Sequence, residues 1–123
     1  MLVVRRPEGD VVNSANLLEF VVHGVKYIFP AERGQLTSGI PTAHAAPPLK
    51  ELFLDDPQPP VWPHLEGSVR GEALEPIYRS APAAALRSPK LYELLALVDA
   101  IRAGRARERK LAEKELEKRW LHP

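Results

Sequence analysis

Four histidines are the first residues that could do chemistry: His23, His44, His64 and His122. They lie twenty or more residues apart, and no two stand at the i, i+3 or i+4 spacing of a helical metal site. His44 is the most interesting, because "PTAHAAPP" reads as a loop and a loop histidine can serve a function. With no second catalytic or metal group near it in sequence, a hydrogen-bonded structural or surface histidine is the expectation. Asp55 and Asp56 precede Pro57. They read as a solvated loop, with cation binding or capping of the next turn as the functional alternative. No second carboxylate cluster supplies the pair that acid/base catalysis uses. The chain has no cysteine, which excludes disulfides, thiolate catalysis and cysteine-ligated zinc. Gly67 and Gly71 lack the Lys-Ser/Thr ending of a phosphate loop, and no Gly-x-Ser-x-Gly elbow is present. Pro60-Val-Trp-Pro63 fits PxxP, but within a proline-rich ordered stretch it reads as packing. These residues point to a non-catalytic chain with no cofactor and no metal.

The arginines carry more information. "DAIRAGRARERK", Asp99 to Lys110, holds five cations in twelve residues. A helix starting at Ser88 and Pro89 has Leu91, Leu94, Leu95, Val98 and Ile101 as its apolar stripe. If that helix continues through Gly104, then at about 100° per residue Arg102, Arg105 and Arg109 fall on the same stripe. Ala112, Leu116 and Trp120 then resume it. A break at Gly104 gives two helices and a different register. In one reading the arginine stems cover apolar surface, their heads reach water, and Asp99 pairs with Arg102. In the sharper reading the set meets carboxylates or phosphates of a partner. Glu108, Glu113, Glu115 and Glu117 dilute the potential and no aromatics interleave, so a protein partner is favoured over nucleic acid. The candidate partner-binding residues are therefore Arg102, Arg105, Arg109, Leu116 and Trp120.

The elements that must position these residues read as follows. "LVVRRPEGDVV" is a hairpin (1–12). Asn13 or Ser14 caps a helix whose apolar face is Leu17, Leu18, Val21, Val22 and Val25, with Gly24 as its stop, and "VKYIFPAE" is a short extended segment ending at Pro30 (13–30). Residues 31–87 form a proline-rich ordered region. Within it "RGQLTSGIPTAHAAPPL" is an ordered surface loop, "PPLKELFL" a short helix, and "DDPQPPVWPHLEG" a polyproline-like run anchored by Trp62. Ser68–Leu74 is a short strand. Residues 88–121 form one long helix or a helix pair. The fold class is α+β, in a single domain of 123 residues.

Formal net charge is only +1, but it is unevenly spread. Residues 31–86 hold four Lys/Arg against seven Asp/Glu, and residues 102–123 hold eight against four. The acidic middle and basic tail can attract each other within or between chains. No apolar run approaches the about 20 residues of a membrane span, and "MLVVRRPEGD" lacks the apolar core of a signal peptide. A cytoplasmic, non-membrane protein is expected.

"NLLEFVVHGVKYIFPAERGQLTSGIPTAHAAPPL", "PPVWPHLEGSVRGEALEPIYRSAP" and "LYELLALVDAIRAGRARERKLAEKELEKR" resemble the C-terminal region of small bacterial winged helix-turn-helix regulators. The resemblance runs from about Val11 to Arg119. That family is encoded beside nucleotidyltransferase-like proteins of the abortive-infection type and looks antitoxin- or repressor-like. The resemblance implies that the first hairpin is a wing, that Arg5 and Arg6 are weak phosphate contacts, and that the family's helix-turn-helix is missing from this chain. Specific DNA binding is then expected only of a longer form. The resulting expectation is a non-catalytic regulatory or antitoxin-like protein whose partner is a nucleotidyltransferase-like protein or a second copy of itself. A dimeric DNA-binding regulator is the first alternative, and an enzyme using His44 is the second.

Overall fold

The proline-punctuated middle of the chain closes a three-stranded sheet. In a computed structural model, which describes residues 17–121, the fold is α+β. Helix α1 (17–23) and the single turn α2 (Val25–Ile28) lead into β1 (Arg33–Pro41). Two 3-10 turns follow, at Ala43–Ala45 and Lys50–Leu52, then β2 (Pro60–Pro63) and β3 (Val69–Leu74). Three helices complete the chain: α3 (Ala81–Arg87), α4 (Pro89–Ala103) and α5 (Ala106–Leu121). The expected wing hairpin, the caps Asn13 and Ser14, Arg5, Arg6 and His122 lie outside the described residues.

Each strand pairs with both others, so the sheet closes on itself. β1 runs antiparallel to β2 (Ile40 opposite Trp62) and to β3 (Thr37 opposite Gly71), while β2 and β3 are parallel (Val61 opposite Ala73). Pro60 and Pro63, which have no N–H, sit at the two ends of β2, where a missing donor is tolerated. Gly71 lies where the backbone of Pro59 crosses β3. A Cβ there would stand 2.0 Å from the Pro59 carbonyl oxygen. The surface loop expected over 33–49 is thus corrected to β1 and a buried turn. Thr42, Ala43, His44, Ala46 and Leu49 are all buried. β1 is poor in strand formers, and it is pairing on both sides that fixes it. Trp62 is the expected anchor, at 1% exposure, although it sits in a strand rather than a polyproline run.

The extended segment expected at "VKYI" is helical instead. Leu18, Val21 and Val25 are buried at i, i+3, i+7, so burying one helical face overrides β propensity. Helix α3 has no counterpart among the expected elements, although "APAAALR" is alanine-rich and carries a proline in its first turn.

Ser88 caps α4 as expected, its Oγ accepting from the Leu91 N–H at 3.3 Å, and Pro89 follows. The helix then ends at Gly104 (φ −75°, ψ 159°). Position 104 has no room for a side chain, since a Cβ would lie 2.3 Å from the Ala100 carbonyl oxygen. α4 is buried on more than the one expected stripe, because it separates two cores. Leu97, Ala100 and Ile101 pack with Leu18, Val21, Val25, Leu49, Ala112 and Leu116. Leu95 packs with Ile40, Trp62, Ala81 and Ala85. Among the described residues no helix is long and apolar enough to cross a membrane.

Candidate functional site

Two polar constellations meet at the segment Thr42–Ala43–His44. The first is internal. Asp99, 1% exposed, lies on α4 between the cores. Its Oδ2 accepts from Thr42 Oγ1 at 2.6 Å and from Trp62 Nε1 at 2.7 Å, and its Oδ1 accepts from Arg102 at 2.6 Å. Arg102 also donates through Nε to the Phe29 carbonyl at 2.9 Å and reaches the Glu75 carbonyl. One buried ion pair thus ties α4 to α2, β2, the turn after β1 and the segment after β3. Burial pushes the Asp99 carboxyl up, against the hydrogen bonds from Thr42, Arg102 and Trp62 and the Arg102 charge. Nearby, the Tyr92 hydroxyl donates to the Pro41 carbonyl, and burial pushes the phenol up to about 12.

Ala43 bridges the two constellations in a left-handed conformation (φ 54°). For a residue with a Cβ this costs about 1–2 kcal/mol. It is held by Thr42 bonded to Asp99 on one side and by buried His44 on the other.

The second constellation opens to solvent, as a cleft of about 490 Å³. His44, 5% exposed, lies in it with Nε2 2.7 Å from Asp56 Oδ2. Asp56 also accepts from the Gln58 N–H at 3.0 Å. Burial works to raise the Asp56 pKa, but the His44 and Gln58 hydrogen bonds and the charges of His44 and Arg33 prevail and hold it below the usual aspartate range. An ionised carboxylate can only accept, so Nε2 carries the hydrogen of that pair. The other nitrogen, Nδ1, faces Glu108 Oε1 at 3.6 Å, beyond hydrogen-bond reach. Among the described residues it is the one buried side-chain polar atom without a partner. Phe53 meets the His44 ring edge to face at 5.3 Å, and the Arg107 guanidinium lies 5.0 Å from the centre of that phenyl ring. Glu108 Oε1 accepts from the Arg105 N–H at 3.1 Å, reaching back across the first turn of α5. Arg33 pairs with Glu72 at 3.1 Å on a second wall.

A histidine–carboxylate pair in a cleft is a proton-handling unit, but no serine, threonine or cysteine is among the residues lining it. No group of three or more His, Cys, Asp or Glu with metal-binding geometry occurs among the described residues. The arrangement suits the binding of a polar group, with guanidinium donors and carboxylate acceptors around one opening.

The five residues expected to form one partner-binding face do not share one. Arg102 is committed inside, its side chain 3% exposed. Leu116 is fully buried, and Trp120 packs on the same core. Arg109 is half-buried on α5, and Arg105 stands exposed in the break between the helices. The reason is Gly104: with the helix interrupted there, the register of α4 is not transmitted to α5. The pairing of Asp99 with Arg102 is as expected. Sequence reasoning missed Glu108, Arg33 and Arg107 as neighbours of His44, and it read Asp56 as solvated. One local signal was present, since Glu108 lies three residues after Arg105, the spacing of a side chain that caps back onto a helix start. Compared with known protein families, curated proteins and solved structures, the chain shows no significant match.

Proposed function

We propose that the chain is a non-catalytic regulatory or antitoxin-like protein that works by binding a protein partner. The observation that carries this reading is a run of three large side chains left in solvent at the end of α2. Tyr27 is 74% exposed, Ile28 62% and Phe29 42%. Adjacent aromatic and aliphatic groups of this size mark association surfaces, and aromatic anchors dominate binding energy. The patch is also pre-organised. Arg102 Nε holds the Phe29 carbonyl, and Arg102 is itself fixed by buried Asp99. Little ordering is then left to oppose association. The resemblance to winged-helix regulators supports a nucleotidyltransferase-like partner.

The test is the double substitution Tyr27→Ser with Ile28→Ser, in a pull-down against a nucleotidyltransferase-like protein encoded beside the chain. Loss of two anchors is expected to weaken capture by about 2 kcal/mol or more, roughly thirtyfold. The fold, read by circular dichroism, should persist, because both side chains are outside the cores. Equal capture by wild type and variant would refute the reading.

A further inference from the structure

The second 3-10 turn, Lys50–Leu52, and the outer side of α5 leave another apolar surface in solvent. Leu52 is 53% exposed and Leu54 72%. Leu52 lines three clefts, and residues of α5 line each of them as well. Half-buried Leu111 lines two of the three. Because the clefts share these side chains, they form one groove along the helix. A single leucine in water is ordinary, but two of them beside such a groove mark an association surface.

The charges around the groove are of both signs, and they are segregated. The turn and the segment after it bring Glu51 and Asp55, whereas Lys50 lines none of the clefts. Helix α5 brings Arg107, Lys110 and Lys114, at i, i+3 and i+7, a single row along its surface. Glu113 and Glu117 stand beside that row and leave it cationic on balance. Among the described residues none of these acids and bases forms an ion pair. Arg107 is stacked on the Phe53 ring, and the neighbouring acid Asp56 is taken by His44.

This segregation selects the occupant. A partner of one sign, acidic or basic, meets like charge on half of the face, which opposes binding. A second copy of the chain does not. In a two-fold interface residue i of one protomer meets residue j of the other, and j meets i. The acidic turn of each copy then lies on the cationic row of the other, and the leucines of both meet between the two sets of charges.

We propose that this face is the interface of a symmetric homodimer. Glu51 and Asp55 of one protomer pair with the Arg107–Lys110–Lys114 row of its partner, and Leu52, Leu54 and Leu111 of both close the apolar centre. The face shares no residue with the Tyr27–Phe29 surface, and the dimer stands or falls independently of the partner assigned to that surface.

The experiment is analytical ultracentrifugation of the full chain, from micromolar to near-millimolar concentration. Wild type is expected to show a monomer–dimer equilibrium. Leu52→Ser with Leu54→Ser should weaken it about tenfold or more. Lys110→Glu with Lys114→Glu makes both halves acidic, and Glu51→Lys with Asp55→Lys makes both basic. Each reversed variant should dimerise about tenfold or more weakly than wild type. All six of these side chains are exposed, so circular dichroism and thermal unfolding should be unchanged. Mixing the two reversed variants is the decisive arm. Both contacts of the mixed dimer again join opposite charges, and association should return to near the wild-type level. That recovery also shows that both variants are folded. A wild type that stays monomeric at every concentration would overturn the proposal. So would a dimer that all three variants leave intact, including one that only Tyr27→Ser with Ile28→Ser dissociates. Natively folded reversed variants that remain monomeric when mixed would overturn it as well.

Discussion

Asp99 shows what one buried charge does in a small protein. Its carboxylate is surrounded by a hydroxyl, an indole N–H and a guanidinium, all from different parts of the chain. A buried ion pair adds little net stability over an apolar replacement of both partners, but removing one partner strands the other. Asp99→Asn keeps the size of the side chain and an acceptor for Thr42 and Trp62, yet leaves Arg102 shielded and uncompensated. The expected cost is about 3–5 kcal/mol in urea unfolding, a large fraction of the stability of a domain this size. A cost below 1 kcal/mol would mean that Arg102 is hydrated in solution. The spacing of Asp99 and Arg102 was legible in the sequence. Thr42 and Trp62 were not, because partners 57 and 37 residues away leave no local pattern.

At the scale of elements, the break between α4 and α5 decides where every later side chain points. Gly104 ends one helix, and the N–H of Gly104 closes the last turn on the Ala100 carbonyl at 2.9 Å. Its φ is open to any residue, so close approach rather than backbone freedom selects glycine here. A continuous helix and a broken one predict opposite signs for Gly104→Ala. In a continuous helix the change stabilises by about 1 kcal/mol. With the break, the new methyl meets the Ala100 carbonyl oxygen, and a loss of about 1–3 kcal/mol is expected in chemical denaturation. Stabilisation would show that α4 and α5 run together in solution. The sequence showed the two possible registers at Gly104 but not which one holds. Helix propensity across one glycine is a matter of about 1 kcal/mol, and packing of α5 back on α4 outweighs it.

For the whole molecule, α4 is the shared wall of two cores, and each core contains one of the two tryptophans. Trp62 sits in the core with the sheet and α3, and Trp120 packs on the core with α1, α2 and α5. Because α4 serves both, the two cores should unfold together. Urea transitions read by fluorescence in Trp62→Phe and in Trp120→Phe, each corrected to the stability of its own variant by circular dichroism, should coincide with the loss of helix. A Trp120 transition clearly ahead of the helical signal would mean that α5 and the first core form a separate, weaker unit.

The sequence by itself determined the α+β class, the Ser88–Pro89 helix start, the strand ending at Leu74, the helix that carries Leu18 and Val21 and the anchoring of Trp62. Each follows from patterns within a few residues: a cap, a proline, a period, one large aromatic. Only the tertiary structure decided that "RGQLTSGIP" is a strand, since its pairing partners lie 20 to 41 residues later and its own propensity is weak. Only the tertiary structure turned "VKYI" into a helical turn, because burial of Val25 beside Leu18 and Val21 outweighs a β-branched composition. The same holds for the cleft. His44, Asp56 and Glu108 are separated by 12 and 52 residues, and their meeting depends on a left-handed Ala43, a closed sheet and a helix that stops at Gly104. Local rules act through the backbone over one or two turns, whereas a site of this kind is assembled by packing, where burial of apolar surface selects among conformations that local energies leave nearly equal.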